Sequence, residues 1–304
     1  MEYMKVAEAA EQWGISDRRV RILCQQGKID GVFQKGRSYL IPLNAVKPID
    51  GRKIRHKGVS EQYLAVFSRI DALKEQLDTH RPLTSGELQR LRDEFLVEYT
   101  YNSNAIEGNT LTLQETALVL EGVTIDRKPL KEHLEAVGHR DAFLYIQQLV
   151  TDKVLLSESI IKQIHTLVLM DKPEDRGTYR RVSVRIMGAS HEPPDPVLVP
   201  EKMEALMKEF SNKKMHPIES AAMFHLLFEG IHPFIDGNGR TGRLIMNFTL
   251  MQNGYPPIDV KFADRKRYYD CFTSYYHDGD SSPMVLMVAE YVAERIELYS
   301  RISE

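Results

Sequence analysis

The chain has 304 residues, 42% hydrophobic and 27% charged, with a net charge of −3. That length suits two domains and a sizeable core, and no run of eighteen apolar residues exists to span a membrane as a helix. The N-terminal Met1, Glu2, Tyr3, Met4 and Lys5 lack a signal-peptide layout, and two cysteines, Cys24 and Cys271, make neither a disulfide framework nor a Cys-rich zinc site, so a cytoplasmic protein without membrane partners is expected.

The charge is uneven. Residues 1–59 hold twelve Lys/Arg and six Asp/Glu, a net +6, which leaves −9 for the remainder. Different partners are therefore expected for the two parts. A first unit is predicted over 1–48. Val6 to Trp13 reads as a short helix, Ser16 as a cap, and Asp17 to Gln26 as a second helix carrying Arg18, Arg19 and Arg21. Residues 32–42 alternate about Lys35, Gly36 and Arg37, which predicts a two-stranded hairpin. Helix, turn, basic helix and basic-tipped hairpin make a winged helix-turn-helix layout. The stretch resembles excisionase-like helix-turn-helix modules related to the MerR type. The resemblance implies DNA contacts from Arg18, Arg19, Arg21, Lys35 and Arg37; protein docking or dimerisation is the alternative use of such a module. A homodimer would strengthen DNA binding.

Residues 49–60 read as a basic linker. The region 61–110 is predicted helical, with apolar spacing at Leu64, Phe67, Ile70, Leu73 and Leu77, and Thr84 capping a second helix to about Thr100. The remaining domain, 111–304, reads as helices near 112–122, 130–151, 157–170, 201–212, 216–230, 240–253, 262–278 and 283–300. One segment differs: 178–187 alternates and is rich in β-branched residues, and a short Val197, Leu198, Val199 follows a Pro-rich stretch, so a lone hairpin is expected. The fold class is mainly α, with that hairpin and the small N-terminal module.

Residues 232–243 read His-Pro-Phe-Ile-Asp-Gly-Asn-Gly-Arg-Thr-Gly-Arg. Gly237 and Gly239 permit a sharp bend that turns N–H groups inward, at the start of an apolar-periodic helix, a favourable place for phosphate. Arg240 and Arg243 are three apart and offer two guanidinium forks on one face. Asp236 is a hard oxygen donor suited to Mg²⁺ beside a polyphosphate, and His232 is the natural general base.

The segment resembles the core motif of the Fic family, HPFx(D/E)GNGRxxR, at every fixed position, and the resemblance extends over roughly 95–300. It implies an all-helical domain with a hairpin flap that transfers AMP from ATP to a Ser, Thr or Tyr hydroxyl of a protein, itself included. By position, His232 deprotonates the acceptor and Asp236 binds Mg²⁺. Gly237, Asn238 and Gly239 cradle the phosphates, with Asn238 near the α-phosphate. Arg240 and Arg243 hold the polyphosphate, and Phe234 anchors the loop. The flap comprises Thr178, Tyr179, Arg180, Arg181, Val182, Ser183, Val184, Arg185 and Ile186, and adds the target's backbone as a strand.

A second segment, residues 103–109, resembles the family's inhibitory helix, (S/T)xxxE(G/N), through Ser103, Glu107 and Gly108. A Glu107–Arg243 pair would occupy the γ-phosphate anchor, making the enzyme autoinhibited. His225, His133, His139 and His165 read as packed or hydrogen-bonded core residues. Tyr268, Tyr269, Tyr275, Tyr276 and Arg265 are candidates for an adenine pocket or for core. Two other readings stay open: a DNA-binding regulator that uses the Fic-like body as a nucleotide sensor, and a Fic enzyme of different transfer chemistry, including AMP removal with Glu107 activating water.

Overall fold

A computed structural model describes residues 3–13, 16–25, 29, 31–36, 38–43, 45, 60–186, 191–212 and 215–303, the side chains at 19, 60–62 and 212 excepted. The expected linker at 49–60 falls almost wholly outside them, as do Arg37 and the side chain of Arg19. The chain divides into two compact units, 1–62 and 63–304.

The first unit has strand β1 (Tyr3–Lys5), helices α1 (Val6–Trp13) and α2 (Asp17–Gln25), and strands β2 (Phe33–Lys35) and β3 (Ser38–Pro42). The hairpin β2–β3 is antiparallel, with Lys35 opposite Ser38. Sequence reasoning missed β1, which pairs with β3 on its other edge, Tyr3 opposite Pro42. Three residues are too few for a visible period of two. The core is Met4, Val6, Ala9, Ala10, Trp13, Val20, Leu23 and Ile41. Arg18, Arg21 and Lys35 are exposed.

The second unit is helical. Helix α3 (Ser60–Thr79) buries Tyr63, Phe67 and Ile70, while Leu64 is 59% exposed, so Tyr63 takes the place expected for Leu64. Helix α4 (Ser85–Ile106) starts on a capping box between Thr84 and Glu87. It runs a turn and a half beyond the expected end near Thr100. Asn and Ser disfavour helix interiors because their side chains compete for the backbone. Here those side chains are engaged elsewhere: Asn102 Nδ2 donates to Asp259 at 2.7 Å, its Oδ1 accepts from Phe262 N at 3.0 Å, and Asn104 donates to Thr100 O at 2.9 Å. Gly108, at φ 98°, then closes the helix: its N–H bonds Ala105 O and Asn109 N–H bonds Asn104 O. This is a Schellman motif with glycine at its left-handed position.

Helices α5 (Leu113–Leu120), α6 (Leu130–Thr151), α7 (Glu158–Val168), α8 (Val199–Asn212), α9 (Pro217–Ile231), α10 (Asn238–Gln252), α11 (Arg265–Asp278) and α12 (Ser282–Ser303) complete the unit. Helix α10 lies at its centre. Its Leu244, Ile245 and Phe248 join one apolar cluster with Phe143, Ile161, Phe228 and Phe234, and its Met246 and Leu250 join a second with Ile70, Leu226 and Val288. A helix buried on all sides is apolar on all sides, and burying each large side chain contributes about 1.5–3 kcal/mol. The phosphate-loop motif thus opens directly onto the most constrained helix of the unit.

The expected hairpin at 178–187 is not formed. Among the described residues, 178–186 make no strand pairing, and Met187 lies outside them. The short strand expected at 197–199 is instead a 3₁₀ turn, Pro196–Leu198, leading into α8. Alternation signals strand only where a ladder partner exists, and here Arg180 N–H bonds the Pro233 carbonyl of the loop instead.

Candidate active site

Helix α9 ends at Ile231, and His232 caps it in the left-handed region, φ 48°. Pro233 cannot continue a helix, so the chain turns. Phe234 drops into the core, fully buried and stacked on His165 at 3.7 Å. Gly237, φ 74°, forms the N-cap of α10. A Cβ there would meet Val168 and His165 at 3.3–3.5 Å, so glycine supplies both the torsion and the space.

Asn238 departs from its expected role. Its side chain is buried; Oδ1 accepts from Phe234 N and Nδ2 donates to Phe234 O, both at 2.9 Å. It staples the loop, and both amide ends are consumed in doing so. The loop's free N–H groups at the α10 N-terminus remain for an anion.

The two arginines diverge. Arg240 is buried against Glu135 (3.2 Å) and Asp236 (3.5 Å). Arg243, about 1% exposed, donates Nη2 to Glu107 Oε1 (2.8 Å) and to Ser103 O (2.8 Å), Nε to Ser103 Oγ (3.0 Å) and Nη1 to Tyr268 Oη (3.1 Å). Neither shares an anion with the other: each has its own carboxylate. Burial opposes the Arg243 charge, but Tyr268 and Glu107 outweigh it and hold the guanidinium protonated. Glu107 also lies against the loop, since a Cβ on Gly239 would collide with its Oε1.

One Asp236 oxygen accepts from an unforeseen partner. Lys172 Nζ lies 2.7 Å from Oδ2, and Oδ1 accepts from Gly237 N at 2.6 Å. Burial pushes the Asp236 carboxyl up, but Lys172, Arg240 and Gly237 N–H overcome this and hold it below its ordinary value. Among the described residues no three metal-ligating side chains converge. One ionised carboxylate beside an open cavity still fits a divalent ion whose other ligands are phosphate oxygens and water.

A cavity of about 480 Å³ opens over this loop, lined among others by Glu107, Arg185, Ile186, His232, Asp236, Gly239, Arg265, Tyr268, Tyr269 and Tyr276. Its size suits a nucleotide-sized ligand. Tyr275 is not among the lining residues.

The segment expected to form the flap splits in two. Arg180 is buried and acts as a strut: its Nε donates to His232 O (2.8 Å), Nη2 to Pro194 O (2.6 Å), and its N–H to Pro233 O (2.9 Å). Tyr179 bonds Glu158 (2.8 Å) and packs on Phe234. Arg180 and Tyr179 therefore hold the loop and do not face a target. Thr178, Arg181, Val182, Ser183 and Arg185 are exposed, with Val184 and Ile186 half-buried.

Of the histidines, His225 and His139 are fully buried; His225 bonds Tyr268 Oη at 2.6 Å. His165 ties the site together, accepting from Gly177 N–H on Nδ1 (2.8 Å) and donating from Nε2–H to Asp236 O (2.9 Å). Sequence reasoning missed Lys172, Glu135 and Glu229, whose roles depend on long-range packing; only the 229/232 spacing carried any local signal.

Residues 155–250 match the profile of the Fic/DOC family. The chain carries a Fic domain. It is 35% identical over 238 residues to protein adenylyltransferase Fic of Drosophila melanogaster, covering 76% of this chain and 48% of that protein. It is 35% identical over 239 residues to the protein of the same name from Culex quinquefasciatus, covering 77% and 47%. The chain thus spans about half the length of the curated relatives it matches. Among solved structures, a Fic domain containing signaling protein from Bacteroides thetaiotaomicron superposes with TM-score 0.71 at 28% identity, covering 78% of this chain and 96% of that one. Fic-1 from C. elegans gives 0.70 at 29%, covering 79% and 72%. The Fic domain's motif loop, the cavity above it and the α4 segment holding Arg243 all fall within the folded second unit.

Proposed function

We propose that the chain is an autoinhibited protein adenylyltransferase, moving AMP from ATP to a Ser, Thr or Tyr hydroxyl of a polypeptide, itself included. The observation that carries this is the placement of His232, Asp236 and the α10 N-terminus around one cavity, with Arg243 beneath it already engaged by Glu107. His232 takes the acceptor's proton, the acceptor oxygen bonds to the α-phosphorus, and the bond to the β-phosphate oxygen breaks to release pyrophosphate. The α10 N-terminus and Gly237–Gly239 backbone hold phosphate oxygens, and Arg243 holds the terminal phosphate once Glu107 has withdrawn. Mg²⁺, held by Asp236 and the phosphates, would neutralise charge on the departing group. Most of the rate enhancement is positioning and charge stabilisation. The exposed part of 178–186, which pairs with no strand among the described residues, is where an extended target segment would add.

ATP labelled at the α- or the γ-phosphate tests this, with wild-type and Glu107→Gly protein. Label from the α position alone, rising in the variant, is the expected result. Label from the γ position alone would mean phosphorylation.

For the first unit we propose DNA binding through the exposed Arg18, Arg21 and Lys35, with Arg19 and Arg37 beside them in sequence. The net +6 of residues 1–59 supports this. Affinity should fall steeply as salt rises; salt-independent binding would instead point to protein docking. Two copies of the chain would bind more tightly than one.

A further inference from the structure

We propose that Glu229 is the positioning residue for His232: its carboxylate keeps the proton on Nδ1, so that Nε2 is the atom that accepts the proton of the target hydroxyl. This rests on the reading of His232 as the base of AMP transfer.

Glu229 lies in the last turn of α9, three residues before His232, so the two share a helix face. Glu229 Oε2 is 3.6 Å from His232 Nδ1, and the side chains are only 14% and 19% exposed. Both His232 Nδ1 and Glu229 Oε1 are buried without a hydrogen-bond partner among the described residues. A buried polar atom left without a partner costs about 1–3 kcal/mol, and Oε2, the nearer carboxylate oxygen, is in place to relieve Nδ1. Contacts of this kind are commonly long before substrate arrives and tighten in the complex.

The backbone leaves little else to adjust. His232 N–H bonds Phe228 O at 2.9 Å, its carbonyl accepts from Arg180 Nε at 2.8 Å, and its torsion is left-handed. Such a torsion costs a non-glycine residue about 1–2 kcal/mol. The ring is therefore delivered by a fixed backbone, and only side-chain rotation remains to close the gap to Glu229.

The surroundings isolate the pair. From α10, Gly242 leaves the room: a Cβ there would stand 3.2 Å from Glu229 Oε1 and 2.5 Å from His225 Nδ1. From α11, Tyr268 and Tyr276 face Glu229, and burial, with Glu229 adding to it, keeps both phenols protonated. From α9, burial and then Arg243 push His225 down to about 3, so it is neutral. His191 stacks on Tyr276 at 4.1 Å, and its Nε2–H donates to Gly230 O at 2.8 Å. Among the described residues, His232 is the basic group within ion-pair distance of Glu229. A carboxylate in this place selects one imidazole tautomer and stabilises the imidazolium that forms as Nε2 takes the proton. That proton comes from the acceptor O–H; the same oxygen forms the new P–O bond as pyrophosphate leaves, and the imidazolium later returns its proton to water.

The test uses the full chain with Glu107→Gly as parent. Nitrogen-15 NMR of His232 is expected to show neutral imidazole carrying its proton on Nδ1. Glu229→Gln, which keeps the shape and loses the charge, should weaken the neutral ring's preference for a proton on Nδ1. It should cut kcat by about tenfold to a hundredfold and leave KM for ATP unchanged. Glu229→Leu should lose more than Glu229→Gln. A neutral His232 protonated on Nε2, or an Nδ1 preference as strong in Glu229→Leu as in the parent, overturns the pairing. AMP transfer that survives His232→Ala overturns the base reading itself, and the NMR result still decides the pairing.

Discussion

Arg243 Nη2 stands 2.8 Å from Glu107 Oε1, joining the first buried turn of α10 to the last turn of α4 across 136 residues of sequence. The guanidinium is buried and would otherwise face the cavity uncompensated, so it needs an anion in every state of the protein. In the resting chain Glu107 is that anion. On the function proposed above, a phosphate oxygen would take that place with nucleotide bound, and the two occupants would exclude each other.

Glu107→Gly should raise α-label incorporation by about tenfold or more, while lowering stability without nucleotide by about 1–2 kcal/mol. That is less than the usual cost of stranding a buried charge, because Glu107 is about a third exposed and Ser103 and Tyr268 remain. ATP should then raise the melting temperature of the variant more than that of wild type. Thermal unfolding with and without ATP measures both; equal ATP shifts in the two proteins would rule out the shared-anion account.

Lys172 holds the Asp236 oxygen that a divalent ion would use. Lys172→Met should lower the Mg²⁺ concentration needed for tight nucleotide binding several-fold, by removing a competing charge. Calorimetric titration with a non-hydrolysable ATP analogue across a Mg²⁺ series reads this, and an unchanged requirement would show that Lys172 does not compete.

Gly242→Ala should destabilise the protein by about 1–3 kcal/mol, although alanine in an open helix gains about 1 kcal/mol over glycine. The reason is the new Cβ meeting His225 Nδ1 at 2.5 Å in a fully packed core. Urea unfolding decides the sign.

Acid should weaken the fold before the carboxylates titrate. Burial first, then nearby charges, push His165 down to about 4 and His225 to about 3, and push His139 well down. The unfolded chain takes these protons near pH 6.5, about the ordinary histidine value. Their contribution is therefore complete above that pH and is lost as pH falls toward the folded values. His225→Gln should flatten this part of the profile. Urea midpoints between pH 7 and 4 that are as steep in the variant as in wild type would contradict it.

The sequence by itself determined the elements whose signals are local. Thr84 marks the start of α4, and residues 232–243 carry a glycine bend before an apolar-periodic helix. It also placed Glu107 and Arg243 in one hypothesis, through the family resemblance of two motifs. Only the tertiary structure decided what each side chain does there. Asn238 became a staple and Arg180 a strut, because each found backbone acceptors supplied by the fold. Arg240 and Arg243 parted because Glu135 and Glu107 arrived from different helices, and α4 outran its propensity because Asp259 and Phe262 engaged Asn102. The alternation at 178–187 met no strand to pair with. Periodicity and turn chemistry are written over a few neighbouring residues, whereas the partner of a buried charge is chosen by packing across the whole chain.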